Sequence, residues 1–184
     1  MTADEERSLS LAEWLVLSLV CEEPRHGFAI ARILDREGRL GQIWRVPKPV
    51  IYRSLQRLEL LGLVRTGEQQ PSSQGPVRSL VYATQAGRNA AADWLTRPVE
   101  HTRDVRSELL VKLALLDRAG TDPQPLLEAQ REQLIPVADA LHDRLAAAGG
   151  FDRTLALWRF ETVSATVRFL DALSAQVTAR APTR

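Results

Sequence analysis

A single cysteine, Cys21, in 184 residues leaves no internal disulfide on which a fold could be built. Its apolar setting in LVLSLVCEE suits a small buried side chain and a reducing compartment. Histidine is nearly as scarce. His26, His101 and His142 lie far apart, and neither a His-Glu-x-x-His pattern nor a cysteine pair supplies a metal site. A Gly-x-Ser-x-Gly nucleophile turn and a glycine-rich phosphate loop are also missing, so an enzyme is disfavoured and no cofactor is expected. His142-Asp143 falls on a polar helix face and reads as surface. No apolar run reaches the roughly 18 residues of a membrane span, and the acidic start TADEERS has no signal-peptide character. The expectation is a cytoplasmic protein with no membrane partner.

Charge of one sign is lacking too, with a net charge of +1. Its distribution is uneven: residues 7 to 96 hold twelve Arg or Lys against eight Asp or Glu, while residues 97 to 184 hold twelve of each. That bias is too weak to announce nucleic acid by itself. The composition, 45% hydrophobic and 26% charged, is that of a globular protein with room for one domain plus a sizeable appendage or for two small domains.

The most informative stretch runs from Pro47 to Val64, PKPVIYRSLQRLELLGLV. At 3.6 residues per turn Ile51, Leu55 and Leu58 share one face, and Pro49, Tyr52, Arg53 and Gln56 the other. Pro47 and Pro49 suit a first helical turn, and Gly62 supplies a left-handed exit. With Lys48 at its start and Arg57 flanking it, the outer face offers donors to phosphates and base edges.

The flanking pattern predicts a series of short elements. Ser10 and Glu13 form a capping box for a helix from Leu11 to Glu22, with Leu9 stapled on Trp14 and Trp14, Leu15 and Leu19 inward. A second helix begins near His26, carries Phe28, Ile30, Ile33 and Leu34 inward and closes at Gly38 and Gly41. Ile43 to Val46 reads as a short strand. Leu63 to Glu68 and Val77 to Thr84 read as hairpin strands around QPSSQGP, and Thr84 caps a helix to about Thr96 carrying Ala86, Ala90 and Trp94. This order describes a winged helix-turn-helix, with the helix of Tyr52 and Arg53 as reading element and Arg78 beside the hairpin tip.

The runs LVLSLVCEEPRHGFAIARIL, IYRSLQRLELLGLV and VYATQAGR resemble the PadR family of transcriptional regulators, over residues 9 to 96. The resemblance implies a His-Gly-aromatic helix start, a Tyr-containing recognition helix and a wing returning into a Thr-x-x-Gly helix start. Pro49 departs from the family, which often has Gly there, but still permits a helix start. DVRSELLVKLALLDRAG and the two long helices after it are similar to the dimerisation region of the family's longer subgroup.

The residues of the second half independently predict helices. Val105 to Arg118 places Leu109, Leu113 and Leu116 on a stripe ended by Gly120. Asp122 and Pro123 restart the chain, and Leu127, Leu134, Leu141 and Ala148 recur every seven positions, with a kink expected at Pro136. After Gly149, Gly150 and an Asp152 cap, Leu155, Thr162, Phe169 and Gln176 form a heptad row flanked by Trp158, Ala165 and Leu173. Stripes this wide call for a partner chain, and a two-fold dimer is the default.

The fold class expected is therefore mainly α with a small β-wing: a winged helix-turn-helix over 9–97 and a helical dimerisation domain over 103–181. The function expected is that of a homodimeric repressor on an inverted-repeat operator in double-stranded DNA, read through Lys48, Pro49, Tyr52, Arg53, Gln56, Arg57 and Arg78. Dimerisation falls to Leu127, Leu134, Leu141, Leu155, Trp158, Phe169 and Leu173. Trp94, Trp158 and Phe169 could line a pocket for a small aromatic effector. The rival reading is a winged-helix module that binds proteins and not specific DNA.

Overall fold

The computed structural model describes residues 9–70 and 78–180. The chain divides into two compact units, Met1–Leu95 and Thr96–Arg184.

The first unit is built on α1 (Leu11–Glu22), α2 (Gly27–Ile33), α3 (Arg39–Ile43), α4 (Lys48–Leu60), the strands β1 (Val64–Gln70) and β2 (Arg78–Ala83), and α5 (Gln85–Thr96). Helix α1 starts at the reciprocal Ser10–Glu13 box: the Glu13 backbone N–H donates to Ser10 Oγ, and the Ser10 N–H and hydroxyl both donate to Glu13 Oε2, at 2.6 and 2.8 Å. Its residues from Leu15 to Val20 are all buried, so α1 is the central post of the unit, enclosed on every side and not along one stripe. Helix α4 packs on it through Ile51, Leu55 and Leu58, and leaves the helical path at Gly62, whose φ of 69° favours glycine.

Three sequence expectations are corrected here. Phe28 does not point inward and Ile33 is only half-buried; α2 buries Gly27, Ile30 and Ala31, with Leu34 buried at its C-cap. Counting about 100° per residue puts Phe28 roughly 110° from the middle of that buried face. The short strand expected at Ile43 to Val46 is absent. A five-residue helix, α3, ends at Ile43, because Leu40 finds the core and the Gly38 and Gly41 backbones pack against the carbonyls of Ile33 and Asp35, where a Cβ would collide. In α5 the inward stripe is Gly87, Ala91 and Trp94 in place of Ala86, Ala90 and Trp94. Gly87 lies against the Leu63 carbonyl, too close for any side chain.

The wing is a two-stranded antiparallel sheet in which Val64 faces Ala83 and Thr66 faces Val81. The register slips between Thr66 and Gln69, a bulge at which Gly67 passes close to the Tyr82 ring. Arg25 adds one bridge to the outer strand, exchanging both backbone hydrogen bonds with Val81 at 2.9 and 3.2 Å. Glu59, near the end of α4, accepts the N–H of Thr66 at 2.8 Å. Thr84 caps α5 by accepting the Gly87 N–H at 3.0 Å, while its hydroxyl donates to the Gly62 carbonyl at 2.7 Å.

The second unit contains a short 3-10 turn (Thr102–Asp104), a π turn (Val105–Leu109), α6 (Leu110–Ala119), α7 (Gln124–Ala147) and α8 (Gly150–Arg180). The stripe expected through Leu109, Leu113 and Leu116 holds at both ends and widens in the middle, behind the π turn. Leu109, Val111, Lys112, Leu115 and Leu116 are buried, and Leu113 is only half-buried. Gly120, at φ 61°, ends α6. The buried Lys112 ammonium donates to Glu108 Oε1 and to the Arg97 carbonyl, each at 2.8 Å; burial lowers its pKa and Glu108 works against that. Beside it Gln130, fully buried, accepts the Val99 N–H at 2.7 Å and returns a bond to the Val99 carbonyl at 3.1 Å. These satisfy the backbone groups of the irregular segment leading into the unit.

Helix α7 continues through Pro136, and α8 opens at Gly150 (φ 57°), so that Asp152 sits inside its first turn and does not cap it. The two form an antiparallel pair, closed by Ala156, Val163, Thr166 and Leu170 of α8 against the side of α7 that buries Leu127 and Leu134. Arg131 to Asp171 at 2.7 Å and Gln124 to Ser174 at 2.8 Å stitch the pair at its edge.

Candidate nucleic-acid interface

The outer face of α4 carries Lys48, Pro49, Tyr52, Arg53 and Gln56, all exposed, directly behind which Ile51, Ser54, Leu55 and Leu58 are buried. Because Pro47 sits at the N-cap and Pro49 in the first turn, the absent proline N–H groups leave no intrahelical bond unmade there. The helix therefore begins firmly, with three donor-bearing side chains along one side and the Lys48 charge at its tip. Tyr52 is 49% exposed, and its ring rests on the backbone of Gly27; a Cβ there would come within 2.8 Å of Tyr52 Cε1. Glycine at the start of α2 thus sets how Tyr52 leaves the surface.

The remaining expected contacts sit differently. Arg57 directs its guanidinium to Glu13, 3.2 and 3.4 Å from the two carboxylate oxygens, so it joins α4 to the capping box of α1. Glu13 is buried, and Arg57 is its charge partner. Sequence reading missed this pair because the two residues are 44 positions apart. Arg78 begins β2, and its side chain lies outside the described residues, as do residues 71–77 of the tip. Arg65, on the described base of the wing, lies over the Tyr82 ring at 4.7 Å. Phe28, expected inside, is 44% exposed on α2, with Lys48 Nζ 5.3 Å above its ring. The helical phase of Gly27, Ile30 and Leu34 could have placed it outside.

Of the aromatic residues assigned to an effector pocket, Trp94 is buried in the first unit and stacked on Trp14. Trp158 and Phe169 both line an open depression of about 670 Å³ in the second unit, together with Val105, Leu110 and Ala165. Of the residues assigned to dimerisation, Leu127 and Leu134 are buried within the second unit, Leu141 and Leu173 are half-buried, and Leu155, Trp158 and Phe169 are exposed. The row through Leu155, Trp158, Ala165 and Phe169 lies roughly 90° around α8 from the face that meets α7. Among the described residues no cluster of His, Cys, Asp and Glu could hold a metal ion, and no helix is long and apolar enough to cross a membrane.

Residues 16–93 match the model of the transcriptional regulator PadR-like family. No curated protein matches the chain. Among solved structures the chain is similar to Bacillus subtilis PadR in complex with operator DNA, at 19% identity and a TM-score of 0.47, covering 91% of this chain and 99% of that one. It is also similar to the same protein in complex with p-coumaric acid (19% identity, TM-score 0.40, 91% of this chain and 96% of that one). A third similar structure is the Vibrio cholerae virulence activator AphA (20% identity, TM-score 0.38, 94% and 100%). Residues 16–93, which contain α4 and the described strands of the wing, are thus similar to a family of transcriptional regulators.

Proposed function

We propose that this chain is a sequence-specific repressor that binds an inverted-repeat operator in duplex DNA as a two-fold homodimer in the cytoplasm. The observation that carries the reading is the shared outer face of α4: Lys48, Tyr52, Arg53 and Gln56 are exposed together on a helix whose inner face is fully committed to the core. A helix of this width fits the major groove, where Arg and Gln reach base edges while Lys48 and the wing meet phosphates. A module that bound only proteins would have no need to gather these donors on one side. Arg57 is left out of this surface, because its guanidinium belongs to Glu13.

Dimerisation is assigned to the exposed residues Leu155, Trp158 and Phe169 of α8, with the half-buried Leu173 beside them. The depression bounded by Trp158 and Phe169 would take a flat apolar effector. Footprinting the full chain on the DNA upstream of its own gene tests the reading. Two protected half-sites, separated by about 34–36 Å or a multiple of it, are the expected result. Absence of protection anywhere, with no salt-dependent affinity for duplex DNA, would refute it.

A further inference from the structure

We infer that Phe28, on α2, is a positioning residue of this interface, which fixes the Lys48 ammonium at the tip of the reading helix for a DNA phosphate. The inference rests on the DNA-binding reading and adds a residue from a different helix to it.

The chemistry is local. A phenylalanine in the first turn of α2 that served only the core would be buried with Ile30 and Leu34; Phe28 stays 44% exposed and turns its ring toward the start of α4. Lys48 Nζ stands 5.3 Å from the ring centroid, within the range at which the negative face of an aromatic ring attracts a cation. Lys48 is the first residue of α4, where the helix dipole offers a cation no support. The ring supplies the attraction that the helix end does not, and it limits the rotamers of a side chain that otherwise roams in solvent. Unlike a carboxylate, a ring face does not neutralise the charge, so the ammonium keeps its attraction for phosphate. Gly27, one residue earlier, supports Tyr52. The first turn of α2 is therefore a ledge under the front of the reading face, with one contact for each of two α4 side chains.

The test uses full-length wild type, Phe28→Leu, Phe28→Tyr, Lys48→Ala and the Phe28→Leu/Lys48→Ala double variant. Each is titrated with random-sequence duplex DNA at several salt concentrations, after a thermal melt to establish folding. Phe28→Leu should weaken binding by about two- to fivefold and flatten the salt slope in the direction of Lys48→Ala, whose slope falls by about one. Phe28→Tyr should match wild type, and Phe28→Leu should cost nothing further once Lys48 is alanine. Unchanged affinity in Phe28→Leu, losses that multiply in the double variant, or a tyrosine variant as weak as the leucine one would overturn the inference. If wild type itself binds no DNA, the DNA-binding reading fails and takes this with it. Wild-type binding with an unaffected Phe28→Leu defeats this inference alone.

Discussion

The indole of Trp14 lies flat on that of Trp94, centroids 5.1 Å apart and planes 4° from parallel, so the first and last helices of the winged unit are joined ring to ring. Trp94 is buried and Trp14 half-buried. Trp94→Ala should cost about 3–5 kcal/mol through the cavity it leaves, against a stacking share of about 0.5–1.5 kcal/mol. Denaturant melts followed by fluorescence measure it. A loss below 1 kcal/mol, on the order of a surface change, would show that the stack is not structural.

Two arginines on α4 should separate cleanly. Arg53→Ala removes an exposed side chain, so stability should stay within about 0.5 kcal/mol while operator affinity falls by about 1–3 kcal/mol. Arg57→Ala leaves the buried Glu13 carboxylate with only the Ser10 donors, and should cost about 1–3 kcal/mol of folding stability. Paired melts and binding titrations decide the assignment. Equal melting of the two variants would contradict it.

Burial pushes the Cys21 thiol from 9.0 up to about 11, with the Arg88 charge pulling it part of the way back. The folded value lies above the unfolded one, so the stability this group contributes is complete below pH 9.0 and is lost as the pH climbs through about 11. Alkylation by iodoacetamide should accordingly be slow in the native protein near neutrality and accelerate toward about pH 11. A native rate profile centred at 9.0 or below would refute the shift.

Trp158, at 66% exposure, can be changed without disturbing the contact between α7 and α8. Trp158→Glu should leave the helical circular dichroism intact while turning dimers into monomers in sedimentation. Operator affinity should then fall by at least about tenfold, because the second head no longer binds as a tethered partner. A variant that sediments as wild type would move the dimer contact to another surface.

Much of the architecture was legible because its signals are chemical and local. The Ser10–Glu13 box, the Gly62 and Gly120 exits and the Thr84 cap each announce themselves within four residues, and α4 is amphipathic enough for Ile51, Leu55 and Leu58 to declare the buried side. What stayed hidden depends on distance or on unusual backbone. Nothing near Arg57 points to Glu13, and α3 exists because two glycines let its backbone approach the carbonyls of Ile33 and Asp35. In the stretch that the π turn at Val105–Leu109 opens, Leu109 and Leu116 are buried as their spacing suggests, but Lys112 takes a core position and Leu113 is left half-buried. Phe28 was misassigned because its hydrophobicity was weighed above its helical phase. In α8, two apolar rows a quarter-turn apart look like one broad stripe, and only packing shows which one meets α7.

The hydrogen bond from Thr66 N–H to the Glu59 carboxylate spans the point where α4 gives way to the wing, right where the register of β1 slips. A hairpin hinged only at Gly62 could swing freely; this strut, with the Thr84 hydroxyl clasping the Gly62 carbonyl, triangulates the corner. Helix and wing are thus fastened at their junction by two side-chain hydrogen bonds besides the covalent turn, so changing the angle between them strains those bonds as well as the turn.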